Sequence, residues 1–264
     1  MSPTAPLPFG DHPIDEPGQD VLGRNPLADA LGEELNRVDV SRGAVAAITG
    51  AWGSGKTSLM NLTAKRLGGM TGIRLIEFNP WLFSGAEELA GAFLGELAAQ
   101  LRDLESRGDR ARRVAAEVAD SVGQYATALS ALRFIPGVGP VQDSIEAAAK
   151  QGAAVLRGET SLAAQRSAAL AALRNLDGRI IVLVDDIDRL TRTEIRDLFR
   201  TVRLTASFPN VVYLMCLDRE VIEKALDEEG FSGRAYLESY RKLGSLPASP
   251  QVSGVMARVS DKTP

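Results

Sequence analysis

A glycine-rich stretch in the first quarter of the chain contains residue types that suit a phosphate group. Gly50, Gly55, Lys56 and Thr57 fit the pattern G-x-x-x-x-G-K-[ST]. Glycines let backbone N–H groups curl round an anion, the lysine adds a positive charge, and the next hydroxyl can bind Mg²⁺. The stretch therefore predicts a site for a nucleoside triphosphate. The residues predicted to contact the nucleotide are Gly50, Ala51, Trp52, Gly53, Ser54, Gly55, Lys56, Thr57 and Ser58.

A second group of polar residues follows a run of apolar, mostly β-branched residues. Residues 180–184 are all apolar, which is typical of a buried parallel strand, and Asp185 and Asp186 come directly after them. This is the Walker B pattern. We expect Asp185 and Thr57 to hold Mg²⁺, and Asp186 to orient or deprotonate the water that attacks the γ-phosphate. The alternative is an acidic loop that only caps the next helix, and the phosphate-binding loop upstream disfavours it.

Arginines near these motifs are further candidates. Arg189 follows the acidic pair and Arg219 follows another apolar run, so each is a candidate for contact with the γ-phosphate. Arg24 belongs to a short apolar-Gly-Arg element before an amphipathic helix, which resembles an element that packs near the adenine in AAA-like and STAND-like NTPases. A plain surface helix is the alternative for that segment. The predicted catalytic residues are Asp186, Lys56, Arg189 and Arg219.

An open α/β sheet must position these residues, because such sheets bind ligands at the carboxyl ends of their parallel strands. Asn79 follows the second predicted strand and is expected in that crevice. The predicted strands are residues 44–49, 73–78, 180–184 and 211–217. The fold class is therefore α/β. We expect a P-loop NTPase parallel sheet flanked by helices, with a long α-helical insertion between Walker A and Walker B.

Composition along the chain divides it into segments. Prolines recur near the N-terminus with few apolar anchors, and the C-terminal stretch contains Ser, Pro and Gly with little periodicity. The predicted segments are a flexible arm (1–19), the first part of the NTPase core (20–85), an α-helical insertion (86–176), the second part of the core with Walker B and a sensor strand (177–240), and an irregular tail (241–264).

Composition also excludes several classes of protein. The net charge of −4 gives no general attraction to nucleic acid, and the basic residues near Arg102 alternate with acidic ones, as on a solvated face. No apolar run reaches about 18 residues, so no membrane span is predicted, while peripheral contact with a membrane stays open. The single cysteine indicates a reducing, cytoplasmic location. The single histidine, His12, lies in the proline-rich arm and is not expected to bind a metal.

Several motifs taken together resemble those of the KAP family of P-loop NTPases. Trp52 stands inside the phosphate-binding loop, FNPW follows the second strand, and DDIDR follows the insertion. Their order and spacing match the family over residues 21–238. The matching segments are residues 48–62 (ITGAWGSGKTSLMNL), 78–84 (FNPWLFS), 182–190 (VLVDDIDRL), 208–219 (FPNVVYLMCLDR) and 236–238 (YLE).

The resemblance implies a STAND/AAA-like ATPase core with ATP and Mg²⁺ as its ligands. Family members often carry transmembrane helices in the insertion and are thought to organise membrane-associated signalling complexes, and some bacterial members are linked to phage exclusion. The Ala-, Arg- and Gly-rich composition is typical of a GC-rich bacterial genome. This insertion lacks spanning segments, and after Glu238 the expected Lys-then-apolar strand does not follow. We therefore expect a truncated or frame-shifted C-terminal region.

Three functions stay open on the sequence. The first is an ATPase switch, in which hydrolysis drives a conformational change or oligomer turnover. The second is a nucleotide-bound scaffold that does not hydrolyse ATP and that orders the insertion for a partner. The third is a small-molecule kinase, which is disfavoured because a buried strand follows soon after Arg189, where a mobile lid is expected. Besides ATP, we expect a protein partner or a second copy of the chain.

Overall fold

A six-stranded sheet forms the centre of the protein. The structure is a computed structural model, and it describes residues 12–83, 89–103, 109–132, 161–227, 240–245 and 253–259. The strands are β1 (Ala44–Thr49), β2 (Ile73–Phe78), β3 (Arg179–Val184), β4 (Val211–Leu217), β5 (Tyr240–Ser245) and β6 (Ser253–Val259). Their order across the sheet is β2-β3-β4-β1-β6-β5. The first four strands pair in parallel, so their carboxyl ends meet at one side of the sheet, which we call the carboxyl edge.

Helices connect these strands. They are α1 (Asn25–Arg37), α2 (Lys56–Gly68), α3 (Leu89–Asp103), α4 (Asp109–Leu132), α5 (Leu162–Arg174), α6 (Arg192–Thr205) and α7 (Arg219–Leu226). Short 3-10 helices lie at Pro17–Gln19, Pro80–Phe83 and Ile187–Arg189. Helices α3, α4 and α5 lie between β2 and β3, where the helical insertion was predicted.

Apolar residues from both faces of the sheet build two separate core clusters. On one face, α1 and α2 pack against the sheet through residues such as Leu35 and Leu59. On the other face, α3 to α7 pack against it through residues such as Phe93 and Leu198. Because both faces are buried, β4 is apolar along its whole length and β3 after its first residue, whereas the edge strand β2 also contains Arg74 and Glu77. The predicted fold class is therefore confirmed, and three of the four predicted strands begin and end at the expected residues, while β3 begins one residue earlier.

The insertion helices contribute to the larger core cluster. The ring of Phe93 in α3 lies edge-on to Phe78 of β2, with ring centroids 4.9 Å apart, and 5.8 Å from the ring of Tyr213 in β4. Tyr125 of α4 lies 6.3 Å from Phe208, which precedes β4. Residues 86–88, 104–108 and 133–160 of the predicted insertion lie outside the described part of the chain. Within the described part, none of the helices combines the length and the hydropathy required to cross a bilayer.

Local sequence signals fix the start of the two helices that follow the carboxyl edge. Thr191 and Glu194 form a capping box at α6, in which the Thr191 N–H donates to Glu194 Oε2 at 2.8 Å. At α7, Asp218 Oδ1 accepts from the Glu220 N–H at 2.9 Å. Such caps satisfy backbone N–H groups that the first helical turn leaves without partners. They therefore fix the ends of the loops that leave β3 and β4.

Ile14 is docked on α2, although it lies in the predicted flexible arm of residues 1–19. The Ile14 N–H donates to Ser58 Oγ at 3.2 Å, and the Ile14 carbonyl accepts from Asn61 Nδ2 at 3.1 Å. The Ile14 side chain packs against the core cluster of α1 and α2. One apolar side chain and two backbone groups thus dock the segment, and the proline pattern did not indicate this. Residues 1–11 of the predicted arm lie outside the described residues.

Strands β5 and β6 differ from the predicted irregular tail. They pair antiparallel with each other, and β6 pairs antiparallel with β1 from Val45↔Ala257 to Thr49↔Ser253. Strand β1 would otherwise end the parallel sheet with unpaired N–H and C=O groups, and β6 pairs with them. The prediction was wrong here because it weighed the Ser, Pro and Gly content of the stretch. It overlooked a proline-free run, residues 253–259, that includes two valines.

Candidate nucleotide-binding site

The loop between β1 and α2 lies at the carboxyl edge, as predicted. The Gly50 N–H donates to the Leu217 carbonyl of β4 at 3.2 Å, which ties the loop to the neighbouring strand. Gly53 and Gly55 have φ angles of +76° and +82°, in the left-handed region that favours glycine. Gly55 is the N-cap of α2, so the loop leads directly to the positive end of a helix dipole. This geometry suits an anion.

The same loop contains a buried hydroxyl that lacks a partner. Ser54 Oγ is buried and has no hydrogen-bond partner among the described residues. An unpaired buried polar group costs about 1–3 kcal/mol, so a ligand that pairs with this hydroxyl would recover free energy. A phosphate oxygen is such a partner, because it accepts hydrogen bonds from hydroxyl groups. Ser54 therefore agrees with a loop that holds a triphosphate.

Lys56 is buried within the loop, with only 8% of its surface exposed. Its Nζ donates to the carbonyl oxygens of Gly50 at 3.0 Å and Ala51 at 3.2 Å. Its third contact is an ion pair with Asp188 Oδ2 at 3.1 Å. The ammonium group thus lies inside the curve of the loop, where the motif requires a positive charge for phosphates.

Asp188 was missing from the predicted site. It lies in the 3-10 helix Ile187–Arg189, three residues after Asp185. Its Oδ2 pairs with Lys56, and its Oδ1 accepts from the Asp218 N–H at 2.8 Å. The spacing D-D-x-D was visible in the sequence, but the pairing depends on β3 and β1 lying on either side of β4. A third acid after a Walker B strand is the signal that could have indicated this residue.

Both carboxylate oxygens of Asp186 have partners in the structure. Oδ1 forms an ion pair with Arg189 Nε at 2.8 Å, and Oδ2 accepts from Asn79 Nδ2 at 3.0 Å. Arg189 Cζ also lies 6.0 Å from the ring centroid of Trp81, within the range of a cation–π contact. Asn79 follows β2, so the structure brings it into the crevice where it was expected. Asp186 and Arg189, predicted as separate contributors, contact each other.

Asp185 lies beside Cys216 of β4. The Cys216 thiol donates to Met60 Sδ at 3.7 Å. Burial, and after it the nearby Asp185 charge, raise the pKa of Cys216 well above its usual value. The thiol therefore stays protonated at neutral pH and acts as a core residue. A reactive cysteine is not indicated.

The predicted metal ligands agree with the way proteins hold Mg²⁺ with a nucleotide. Among the described residues, no group of three or more His, Cys, Asp or Glu side chains could form a metal cage. Mg²⁺ at nucleotide sites commonly uses one or two protein side chains, together with phosphates and water. Thr57, in the first turn of α2, and Asp185, at the end of β3, offer a hydroxyl and a carboxylate of this kind.

Arg24 contacts the phosphate-binding loop directly. Its Nη1 donates to the Gly55 carbonyl at 3.0 Å. Arg24 immediately precedes α1, and the first residue of that helix, Asn25, donates its N–H to Asp20 Oδ2 at 2.7 Å. The element before α1 therefore lies beside the loop and is not part of a remote surface helix. The structure brings Arg24 to the predicted site.

Other predicted residues lie at the edge of the site or face away from it. The Ser58 hydroxyl accepts from the Ile14 N–H, so it contacts the N-terminal segment. Trp52 lies on the outside of the loop and is 82% exposed. Arg219 begins α7 at the carboxyl edge, but its Nε donates to Glu223 in the same helix at 2.7 Å. The candidate site therefore centres on Ser54, Lys56 and the acidic residues that follow β3.

Comparisons with known proteins match most of the chain. The family model described as "KAP family P-loop domain" matches residues 24–240. The chain is also 27% identical over 244 residues to a protein named "Phage T7 exclusion protein" from Escherichia coli (strain K12). That alignment covers 82% of this chain and 31% of the relative, so the chain spans about a third of the relative's length. The family match extends over most of the chain and includes every predicted site residue, and the chain belongs to the KAP family of P-loop NTPases.

Proposed function

We propose that the chain binds Mg-ATP and hydrolyses it as a conformational switch. The observation that carries this proposal is the loop between β1 and α2, which combines a buried lysine with the unpaired, buried hydroxyl of Ser54. A loop of this kind can bind the oxygens of a triphosphate through charge and hydrogen bonds. The carboxylates that follow β3 lie at the same edge of the sheet.

The residues of the site have separate roles in in-line hydrolysis. Lys56 and the backbone N–H groups of residues 50–57 hold the phosphates, and Arg24 braces the loop by donating to the Gly55 carbonyl. Thr57 and Asp185 would hold Mg²⁺, which would supply positive charge to offset the charge of the phosphate oxygens. Asp186 orients the attacking water. Positioning and electrostatics carry the reaction, and no covalent intermediate with the protein is needed.

Phosphate release from ATP tests this proposal. We expect Asp186→Asn to lower the rate by about 10²- to 10⁴-fold, because a general base contributes about that factor, while ATP binding is retained. Lys56→Ala should abolish ATP binding. Asp197→Asn is a matched control, because Asp197 forms an exposed ion pair with Arg200 on α6, and it should behave as the parent protein. Wild-type ATP affinity in Lys56→Ala would contradict the assignment of the loop.

A second function, a nucleotide-bound scaffold without hydrolysis, is favoured by one observation. Each Asp186 oxygen already accepts from one protein group, Arg189 or Asn79, so in this arrangement these groups compete with water for the carboxylate. In a scaffold, bound ATP would order the chain for a protein partner or a second copy. Equal, background release of phosphate by Asp186→Asn and the parent, with ATP binding intact in both, would favour the scaffold and exclude the switch.

We further propose that the chain acts in defence against phage, as the name of its relative suggests for that protein. The proposal rests on the alignment with the relative and on the family match. Expression in Escherichia coli should lower the number of T7 plaques relative to an empty vector. Lys56→Ala should remove this protection and Asp197→Asn should keep it. Full protection by Lys56→Ala would show that nucleotide binding is not required.

A further inference from the structure

The acidic stretch after β3 contains a carboxylate that the proposed reaction does not use. Asp185 is assigned to Mg²⁺ and Asp186 to water, and that mechanism gives Asp188 no role. Its Oδ2 lies 3.1 Å from Lys56 Nζ, and its Oδ1 accepts from the Asp218 N–H at 2.8 Å. Asp188 therefore joins the loop after β1 to the start of α7, across the end of β4.

The ion pair between Lys56 and Asp188 is largely buried. The side chains of Lys56 and Asp188 are only 9% and 18% exposed, so water screens the pair weakly. A buried ammonium group needs both hydrogen bonds and a compensating charge. The carbonyl oxygens of Gly50 and Ala51 supply hydrogen bonds to Lys56 but no net charge. Asp188 supplies the negative charge.

A triphosphate would need the same ammonium group. The motif assigns Lys56 to the β- and γ-phosphates, which carry more negative charge than one carboxylate. The Asp188 carboxylate also repels any phosphate that reaches Lys56, because like charges interact strongly where water is scarce. Asp188 thus stabilises Lys56 while the loop lacks phosphate and opposes the phosphates when they arrive.

We propose that Asp188 is a positioning residue for Lys56 and a competitor of the triphosphate for its ammonium group. This inference rests on the proposed ATP site. Asp188 holds Lys56 in place before the nucleotide binds, and it lowers the affinity for ATP by an amount that reflects the strength of the pair. Asp188 also accepts from the N–H of Asp218, the residue that caps α7, so the pair is linked to the start of that helix.

The first test measures the pair without nucleotide. Asp188→Asn keeps an oxygen for the Asp218 N–H but removes the charge, so it should lower Tm by about 5 °C, because it leaves a buried ammonium without its counter-ion. Lys56→Met combined with Asp188→Asn should lower Tm by less than the sum of the two single variants, because the double variant contains neither charge. Asp197→Asn should lower Tm by less than about 1 °C, because its ion pair is exposed. Additive effects of the two substitutions on Tm would overturn the pairing. If Asp188→Asn alone folds poorly, the Tm of the double variant still tests the pairing.

The second test measures ATP binding by calorimetry in EDTA, which separates charge competition from metal binding. Asp188→Asn should bind ATP about tenfold more tightly than the parent, because one nearby negative charge is removed. Asp197→Asn should bind ATP as the parent does. Unchanged or weaker ATP binding by Asp188→Asn would overturn the competition.

The two tests distinguish failure of this inference from failure of the proposed function. If the parent binds no ATP while the two substitutions remain coupled, the proposed function is wrong and the competition fails with it, although the pair itself stands. If the parent binds ATP and the substitutions are additive, only the role of Asp188 is wrong. If Mg²⁺ makes Asp188→Asn the weaker binder and EDTA abolishes the difference, Asp188 is a metal ligand and the inference is overturned.

Discussion

Glycine is required at two positions of the phosphate-binding loop, for reasons that differ. Gly53 and Gly55 both have positive φ angles, which cost other residues about 1–2 kcal/mol. A Cβ at Gly53 would meet no atom within 4 Å, so only its backbone conformation disfavours other residues. A Cβ at Gly55 would collide with Nη1 of Arg24. Gly55 therefore also provides the space in which Arg24 reaches the loop.

The two glycines give a matched pair of substitutions. We expect Gly53→Ala to lower the free energy of unfolding by about 1 kcal/mol, through backbone strain. Gly55→Ala should lower it by about 2–3 kcal/mol, because it also displaces Arg24 from the Gly55 carbonyl and breaks a charge-assisted hydrogen bond. Urea unfolding without nucleotide measures both values. In an Arg24→Ala background the two substitutions should cost the same, and a persistent difference there would refute the role given to Arg24.

Among the elements, the 3-10 helix Ile187–Arg189 joins the two halves of the carboxyl edge. On one side Asp188 reaches Lys56, in the loop after β1. On the other side Arg189 forms an ion pair with Asp186 and contacts the ring of Trp81, which lies in the segment after β2. Adjacent residues of one short turn thus contact loops from strands that lie at opposite ends of the parallel sheet. A change at the phosphate-binding loop can therefore reach the residue proposed to orient water through a chain of direct contacts.

The N-terminal segment around Ile14 is joined to the phosphate-binding loop through α2. Ile14 bonds to Ser58 and Asn61, which lie one helical turn apart in the helix that begins at Lys56. The ion pair between Lys65 and Glu16 joins the segment to α2 further along, but both side chains are more than half exposed. Exposed ion pairs contribute little to stability, so the backbone contacts of Ile14 hold the segment. The segment is thus bound to the element that would hold the phosphates.

For the whole molecule, the sequence predicts the sheet better than the site. The strands were predictable because helices cover both faces, so apolar runs such as residues 180–184 stand out from polar loops. The roles of Asp188 and Asn79 depend on which strands are neighbours, and strand order cannot be read from local pattern. The docking of Ile14 was not predicted because a single apolar residue gives no periodicity. Strand β6 was not predicted because its pairing partner, β1, is distant in the chain.

The insertion should unfold together with the NTPase core, because α3, α4 and α5 pack in the same cluster as β3 and β4. Far-ultraviolet circular dichroism follows the helices, and the chain's two tryptophans, Trp52 and Trp81, follow the loops after β1 and β2 by fluorescence. We expect both signals to change in one thermal transition. ATP at about 100 times its Kd should raise both midpoints equally, by about 5–10 °C, because such binding contributes about 2.7 kcal/mol. Lys56→Ala should show a single transition that ATP does not shift. A helical signal that melts separately, or that ATP leaves unchanged while the tryptophan signal moves, would show that the insertion is an independent domain.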